Sequence, residues 1–366
     1  MWLFIILTQL LAAMTSIGLY WLLCPKRSIS KIAIVVAVFA INNVVLIYGL
    51  SQFRGERFDV YLVVSILQGF VFYTGLITAF ASLIYDQVLK RLIIQLKPIP
   101  KAIRALAISV YLGIVGLALF NAYSPVVHHL TVRMTKPLKR PMTIALVSDM
   151  HLSRWFGNRQ LDKLADIIDM QDPEVVVIAG DIMNDSTLAY DKTNMQAHLS
   201  KLQAPLGVYA TLGNHDYSGN QVAIAKAVES AGVEVIDNKS VLLNDAVWLV
   251  GRSDITDPKH ASTQDLLAEI DIQKPVVFLE HSSWSVAEIS DLSVDLHLSG
   301  HTHGGQIFPL PWIMQWTKPY FAPIVYGYEQ IKKTQFLVTS GYGFGAVPFR
   351  LGTRSEIWII KLESTI

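Results

Sequence analysis

The run Thr143-Ile-Ala-Leu-Val-Ser148 is followed at once by Asp149-Met-His151, and the same grammar returns four more times along the chain. Glu174-Val-Val-Val-Ile-Ala179 leads into Gly180-Asp181, and Val208-Tyr-Ala-Thr-Leu212 leads into Gly213-Asn214-His215-Asp216. Pro275-Val-Val-Phe-Leu-Glu280 precedes His281, and Leu296-His-Leu-Ser299 precedes Gly300-His301-Thr-His303. Short runs rich in Val, Ile and Leu that stop at glycine or polar residues predict buried strands. Further strands are expected at 247–251, 336–339 and 356–362. Polar stretches of helical length lie at 158–170, 190–202, 219–231 and 262–271. That alternation predicts a layered α/β domain over 142–366, large enough to fold alone.

In parallel α/β sheets, ligands sit outside the carboxyl ends of the strands. Five strand ends therefore bring Asp, His and Asn together, and five of the ten histidines fall in these short segments. Each fragment alone is weak, because a D-x-H or H-x-H arises by chance. Taken together they are not, since carboxylates and imidazoles buried side by side are costly unless they are paired or hold a cation. Nitrogen and oxygen donors without thiolate suit Mn, Fe, Zn, Ni or Co. The single cysteine, Cys24, excludes an intrachain disulfide framework and any multi-thiolate metal site.

The rest of the chain is different in kind. Of the 366 residues, 52% are hydrophobic and 16% charged, with mean hydropathy +0.40. Residues 1–125 carry 10 Lys/Arg and 3 Asp/Glu, a net of +7, whereas 126–366 carry a net of −6. Stretches without any charge at 2–25, 32–53, 60–85 and 105–132 predict a region, 1–127, of four transmembrane helices at about 2–24, 32–51, 60–84 and 105–124. The first lacks the basic start and small-residue cleavage site of a signal peptide. With no ionisable residue inside these spans, an anchor is expected rather than a transport path, and Asn42-Asn43 is expected to bond to neighbouring helices. Residues 128–141 are expected to be a basic, proline-bearing linker. Eight Lys/Arg lie in the 25–31 and 86–104 loops and six in 54–59 and 133–140. The positive-inside rule then places the 142–366 domain on the outer face of a cell (inner) membrane, as part of a multi-pass protein. The small net charge of +1 gives no footprint for nucleic acid.

The series Asp149-x-His151, Gly180-Asp181, Gly213-Asn214-His215-Asp216, His281 and Gly300-His301-x-His303 resembles the signature of the calcineurin-like metallophosphoesterase superfamily. The gaps of 32 residues from Asp149 to Asp181 and 33 from Asp181 to Asn214 match as well. The runs 300–306 and 350–357 resemble more narrowly a bacterial, membrane-tethered subgroup. The resemblance covers 142–363 and implies a four-layer α/β/β/α sandwich holding two divalent metal ions. Asp149, His151 and His303 would hold one ion, Asn214, His281 and His301 the other, and Asp181 would bridge them. His215 would face the substrate, with Asp216 orienting its ring. Where the family continues G-D-x-x-D or E, this chain reads Gly180-Asp-Ile-Met-Asn184-Asp185, with the acid one place later.

The implied activity is a membrane-anchored, metal-dependent phosphoric ester hydrolase in which metal-activated hydroxide attacks a phosphoester, phosphodiester or pyrophosphate. The expected partners are a phosphorylated small-molecule or lipid-linked substrate and the lipid bilayer. The alternative is a membrane receptor or transporter whose domain only binds a phosphorylated ligand. Residues 307–326 hold six aromatics and four prolines. They are expected to form a structured loop whose aromatics either touch the bilayer or complete the domain's core.

Overall fold

The structure is a computed structural model that describes residues 2–23, 27–51, 75, 80, 83, 84, 87, 101–317, 322–345 and 347–364. The chain divides into two compact units, Met1–Leu117 and Ala118–Ile366. The first contains helices α1 (Trp2–Leu23) and α2 (Ser28–Ser51), and most of α3 (Lys101–Tyr123). The span expected at 60–84 lies almost wholly outside the described residues. Gln9 on α1 and Asn43 on α2 exchange side-chain amide hydrogen bonds of 2.9 and 3.2 Å, so a polar spot in an apolar helix finds its partner on the neighbouring helix. Counted over the described residues alone, no helix is long and apolar enough to cross a membrane.

The second unit holds two six-stranded mixed sheets. One is built from β1 (Val126–Met134), β12 (Glu356–Ser364), β2 (Met142–Val147), β3 (Val175–Ala179), β4 (Val208–Thr211) and β5 (Glu234–Val235), in that order. The other runs β10 (Gly327–Ile331), β11 (Thr334–Val338), β9 (Leu296–Ser299), β8 (Val276–Leu279), β7 (Val247–Gly251) and β6 (Lys239–Leu243). Strands β2, β3 and β4 are mutually parallel, as are β7, β8, β9 and β11.

Side-chain alternation builds the layers. Ile144, Leu146, Val175 and Val177 of the first sheet share one core with Leu249, Val277, Leu279, Leu296 and Leu298 of the second. Their neighbours Ala145, Val147, Val176 and Ile178 face the other way, onto α4 (Asn158–Gln171), α6 (Gln196–Leu199) and α8 (Gln221–Ser230). On the far side of the second sheet, Val250, Val276, Phe278 and Phe336 pack with α9 (Thr263–Ala268) and α10 (Val286–Ile289). Because every central strand is apolar on both faces, it needs a layer on each side, and the result is the α/β/β/α order.

Two expectations change here. The segment 128–141 begins not as a linker but as β1, paired in parallel with β12 from Val126↔Glu356 to Met134↔Ser364. Val132 and Met134 point inward while Arg133 is exposed, the one-sided pattern of an edge strand, and the prolines at 137 and 141 come only after it. The helix expected over 190–202 is two short ones, α5 (Leu188–Lys192) and α6, parted by Asn194 at φ +52.

Candidate metal centre

The residues singled out above all sit just beyond strand ends, from both sheets. Asp149 and His151 follow β2, Asp181 follows β3, and Asn214 opens α7 (Asn214–Ser218) after β4. His281 follows β8, and His301 and His303 follow β9. Five of them, Asp149, His151, Asp181, His301 and His303, adopt positive φ between 45° and 74°. Such conformations cost of order 1–3 kcal/mol each and gather where function demands a particular side-chain direction. Glycines make the room: a Cβ on Gly213 would collide with the Asp181 carboxylate, and one on Gly300 with that of Asp149.

The side chains converge. His151 Nε2 lies 3.1 Å from His303 Nε2, and His303 Nε2 lies 3.6 Å from Asp149 Oδ1. His281 Nε2 is 3.1 Å from Asn214 Oδ1, 3.1 Å from His301 Nδ1 and 3.1 Å from Asp181 Oδ2. Asp181 Oδ2 is also 3.6 Å from His151 Nε2, so this carboxylate stands between the two sets. Asp149, His151 and His303 form one group able to hold an ion, and Asp181, His281 and His301 another. Donors bound about 2.0–2.1 Å from a common cation are separated by about 3.0–3.4 Å, for right-angle or tetrahedral arrangements. The 3.1 Å separations fit a shared cation directly, and the two 3.6 Å separations need close by only a few tenths of an ångström.

Electrostatics agree with the donor chemistry. Burial holds His151 and His301 down at about 4, and His303 well below its ordinary value, so these rings stay neutral, the form that binds metal. Burial pushes the Asp149 carboxyl up to about 6, with the Asp181 charge adding to the rise. Burial disfavours a charge on His281 too, but Asp181 and Asp149 outweigh it and lift the ring to about 10. That proton marks a place where the carboxylates call for positive charge. A ligand that binds only the folded state at 100 times its Kd stabilises it by about 2.7 kcal/mol. Thermal unfolding of the full chain with and without chelator should therefore show a metal-dependent rise in Tm, and identical curves would count against a resident ion.

His215 is partly open to solvent, its side chain 40% exposed. Its partner differs from the expected one. Asp185 Oδ1 lies 2.9 Å from His215 Nδ1, whereas Asp216 is fully buried and accepts the backbone N–H groups of Ile182, Met183 and Gly213 at 3.1, 2.9 and 2.9 Å. The reason is local: Asp216 is the third residue of α7 and reaches back to the residue capping that helix. The acid shifted by one place in the sequence thus reaches the ring, with Asp185 itself at φ +61. Burial lowers His215, yet the Asp185 hydrogen bond and the charges of Asp181 and Asp185 together raise it to about 9.

Two supporting groups stand behind the ligands, one of them at the head of the run 350–357 noted above. Arg350 is buried, its Nη2 3.2 Å from His303 Nδ1 and donating to the carbonyls of Ser340 and Gly343 at 2.6 Å. Its neighbour Arg354 donates to Ser124 O at 2.7 Å. Glu280, next to His281, is clamped by Arg252 at 2.5 Å and His297 at 2.8 Å. Burial alone would raise this carboxyl, but His297 and Arg252 bring it down to about 2.

The calcineurin-like phosphoesterase family model matches residues 142–305. This stretch is a calcineurin-like phosphoesterase domain. Strands β10, β11 and β12 complete this phosphoesterase domain beyond the matched stretch. A bovine "Transmembrane protein with metallophosphoesterase domain" is 30% identical over 282 residues, covering 71% of this chain and 62% of the relative. This chain therefore spans less than two thirds of that protein. An uncharacterized metallophosphoesterase of Campylobacter jejuni is 29% identical over 266 residues, covering 69% of each chain. A third, from Bacillus subtilis, is 29% identical over 232 residues, covering 61% of this chain and 79% of its own length.

Proposed function

We propose that the chain is a metal-dependent phosphoester hydrolase anchored in a membrane by its N-terminal helices. The observation that carries the reaction is the convergence of seven N and O donors from five strand ends, with an accessible His215 at their edge. Two divalent cations of the Mn, Fe, Zn, Ni or Co type would be held by those donors, Asp149, His151 and His303 for one and Asn214, His281 and His301 for the other, with Asp181 shared. When bound they would acidify a water and polarise the phosphoryl oxygens.

The chain's own part in the chemistry falls to His215. Asp185 accepts from Nδ1–H and fixes the ring, and its carboxylate favours the protonated ring with Nε2–H left to donate. That proton passes to the oxygen leaving phosphorus. The test is turnover of bis(p-nitrophenyl) phosphate by the detergent-solubilised full chain with each of the five metals. Bound metal without turnover in every case would favour a domain that only binds its ligand.

Anchoring is supported by the helices themselves. Over its whole length α1 has 22 residues and no charge, about 33 Å at 1.5 Å per residue; α2 and α3 have 24 and 23. Ile6, Leu10 and Ile17 on α1, and Ile29, Ile32, Val36 and Val44 on α2, are all more than half exposed, a surface suited to lipid and costly in water. With the eight-to-six excess of Lys/Arg in residues 25–31 and 86–104 over residues 54–59 and 133–140, the phosphoesterase domain faces outward from the cell membrane. An alkaline phosphatase fused after the last residue should then be active. An inactive fusion, with a cytoplasmic reporter working at the same point, reverses the orientation.

A further inference from the structure

The segment 307–326 is not only a loop. Leu310–Trp316 forms a short helix, α11. Its prolines do not prevent this, because Pro309 caps it and Pro311 lies in the first turn, where no N–H is needed. Tyr320 and Phe321 lie outside the described residues. None of the α11 side chains is buried. Trp312 is 68% exposed and Trp316 82%, and Phe308 and Leu310 are exposed beside them.

This helix is fixed to the metal centre. A Cβ on Gly305, two residues beyond His303, would stand 2.6 Å from Pro311 N, and one on Gly352 would stand 3.1 Å from Pro311 Cγ. The first turn of α11 is therefore wedged between the histidine loop and the 350–352 segment. Gln306 holds that wall together, its Nε2 donating to the carbonyls of Gly345, Val347 and Phe349 at 3.1, 3.0 and 3.1 Å. The same wall holds the last turns of α3, which belong to this unit. Arg350 N donates to Ala118 O at 3.0 Å, Ser355 N donates to Asn121 O at 2.9 Å, and Leu351 N donates to Gln306 O at 2.9 Å. Leu119 and Phe120, on those turns, are exposed as well. Exposed apolar side chains scattered singly need no explanation, but these are joined through one hydrogen-bonded wall to the point where the apolar helix enters the domain.

We infer that α11 is an interfacial membrane-docking helix, and that the substrate of the adjacent metal centre is a phosphate-bearing headgroup of a membrane lipid. The substrate half of this inference rests on the hydrolase reading above; the docking half does not. If α3 lies in the bilayer as far as Leu117, chain continuity puts Ala118 at the membrane surface, and the wall carries Phe308 and α11 with it. Tryptophan favours that layer, where its apolar body and polar N–H are both accommodated. Phe308 is five residues from His303, hence at most about 19 Å away along the chain at 3.8 Å per residue. A lipid headgroup can then meet the metal centre while its chains stay in the membrane.

The test uses the full chain in vesicles, with Cys24→Ser and a single cysteine introduced at 312, 316 or, as a control on the exposed face of α4, at 170. An environment-sensitive fluorophore at 312 and 316 should be quenched by brominated lipid, and the one at 170 should not. Equal behaviour of all three positions overturns the docking, including the case in which a protein partner covers α11 instead. In parallel, Trp312→Ser/Trp316→Ser should lose about tenfold or more in kcat/KM on a phospholipid phosphate in vesicles, ~1.4 kcal/mol, and keep its activity on bis(p-nitrophenyl) phosphate. Equal kcat/KM on the lipid for variant and wild type overturns the substrate class. If the wild type turns over neither compound, the hydrolase reading fails and the substrate half with it, while quenching still decides the docking.

Discussion

Asp181→Ala should strip both cations from the protein and reduce turnover by roughly 10³-fold or more, the loss expected when preorganised charge stabilisation disappears. One carboxylate serves both halves of the site. Its Oδ2 is 3.1 Å from His281 Nε2 and 3.6 Å from His151 Nε2, and its Oδ1 accepts the backbone N–H of His215 at 2.9 Å. Without it, each half keeps only uncharged imidazoles plus, on one side, Asp149 and, on the other, the Asn214 amide. The Asn214 side should therefore empty first. His303→Ala removes a donor from one half only and should lower occupancy of chiefly one ion. Elemental analysis of the two purified variants separates these cases, and Asp181→Asn, which preserves the shape, guards against simple unfolding. Two full equivalents of metal in Asp181→Ala would remove the bridging assignment.

The site was more legible in the sequence than the sheets that carry it. Asp149, His151, Asp181, Asn214, His281, His301 and His303 each come within a few residues of the end of an apolar run, and an apolar run closing on metal-ligand types is a local pattern. Edge strands have no such mark. β1 reads as basic linker because half its side chains face water and its neighbours in sequence are Lys and Pro. β6 and β10 are equally half-buried. Their signal lay in the turns that join them to β7 and β11, where Asn244, Asp245 and Lys332 take positive φ, as tight hairpins require. The partner of His215 could not be read from spacing either. Adjacency favoured Asp216, whereas helix capping turns that side chain away and a left-handed backbone at Asp185 supplies the carboxylate from another strand end.

That exchange of partners yields the second large effect. His215→Ala should keep both metals and lose about 10²–10⁴-fold in kcat, the usual contribution of a general acid–base group. The loss should be steepest for substrates with poor leaving groups, since an alkoxide needs the Nε2 proton and p-nitrophenolate departs without it. A merely structural histidine would slow both alike. Asp185→Asn should follow the same leaving-group pattern with a smaller loss, because it leaves the ring in place but weakens its hold on the proton. Asp216→Ala should behave quite differently. It orphans the N–H groups of Ile182, Met183 and Gly213, and each unsatisfied buried donor costs of order 1–3 kcal/mol. Its signature is a fall in Tm, at every leaving group alike. If Asp216→Ala instead reproduced the leaving-group pattern while Asp185→Asn matched wild type, the orienting carboxylate would be Asp216 after all, and the ring would have to turn from its observed position to reach it.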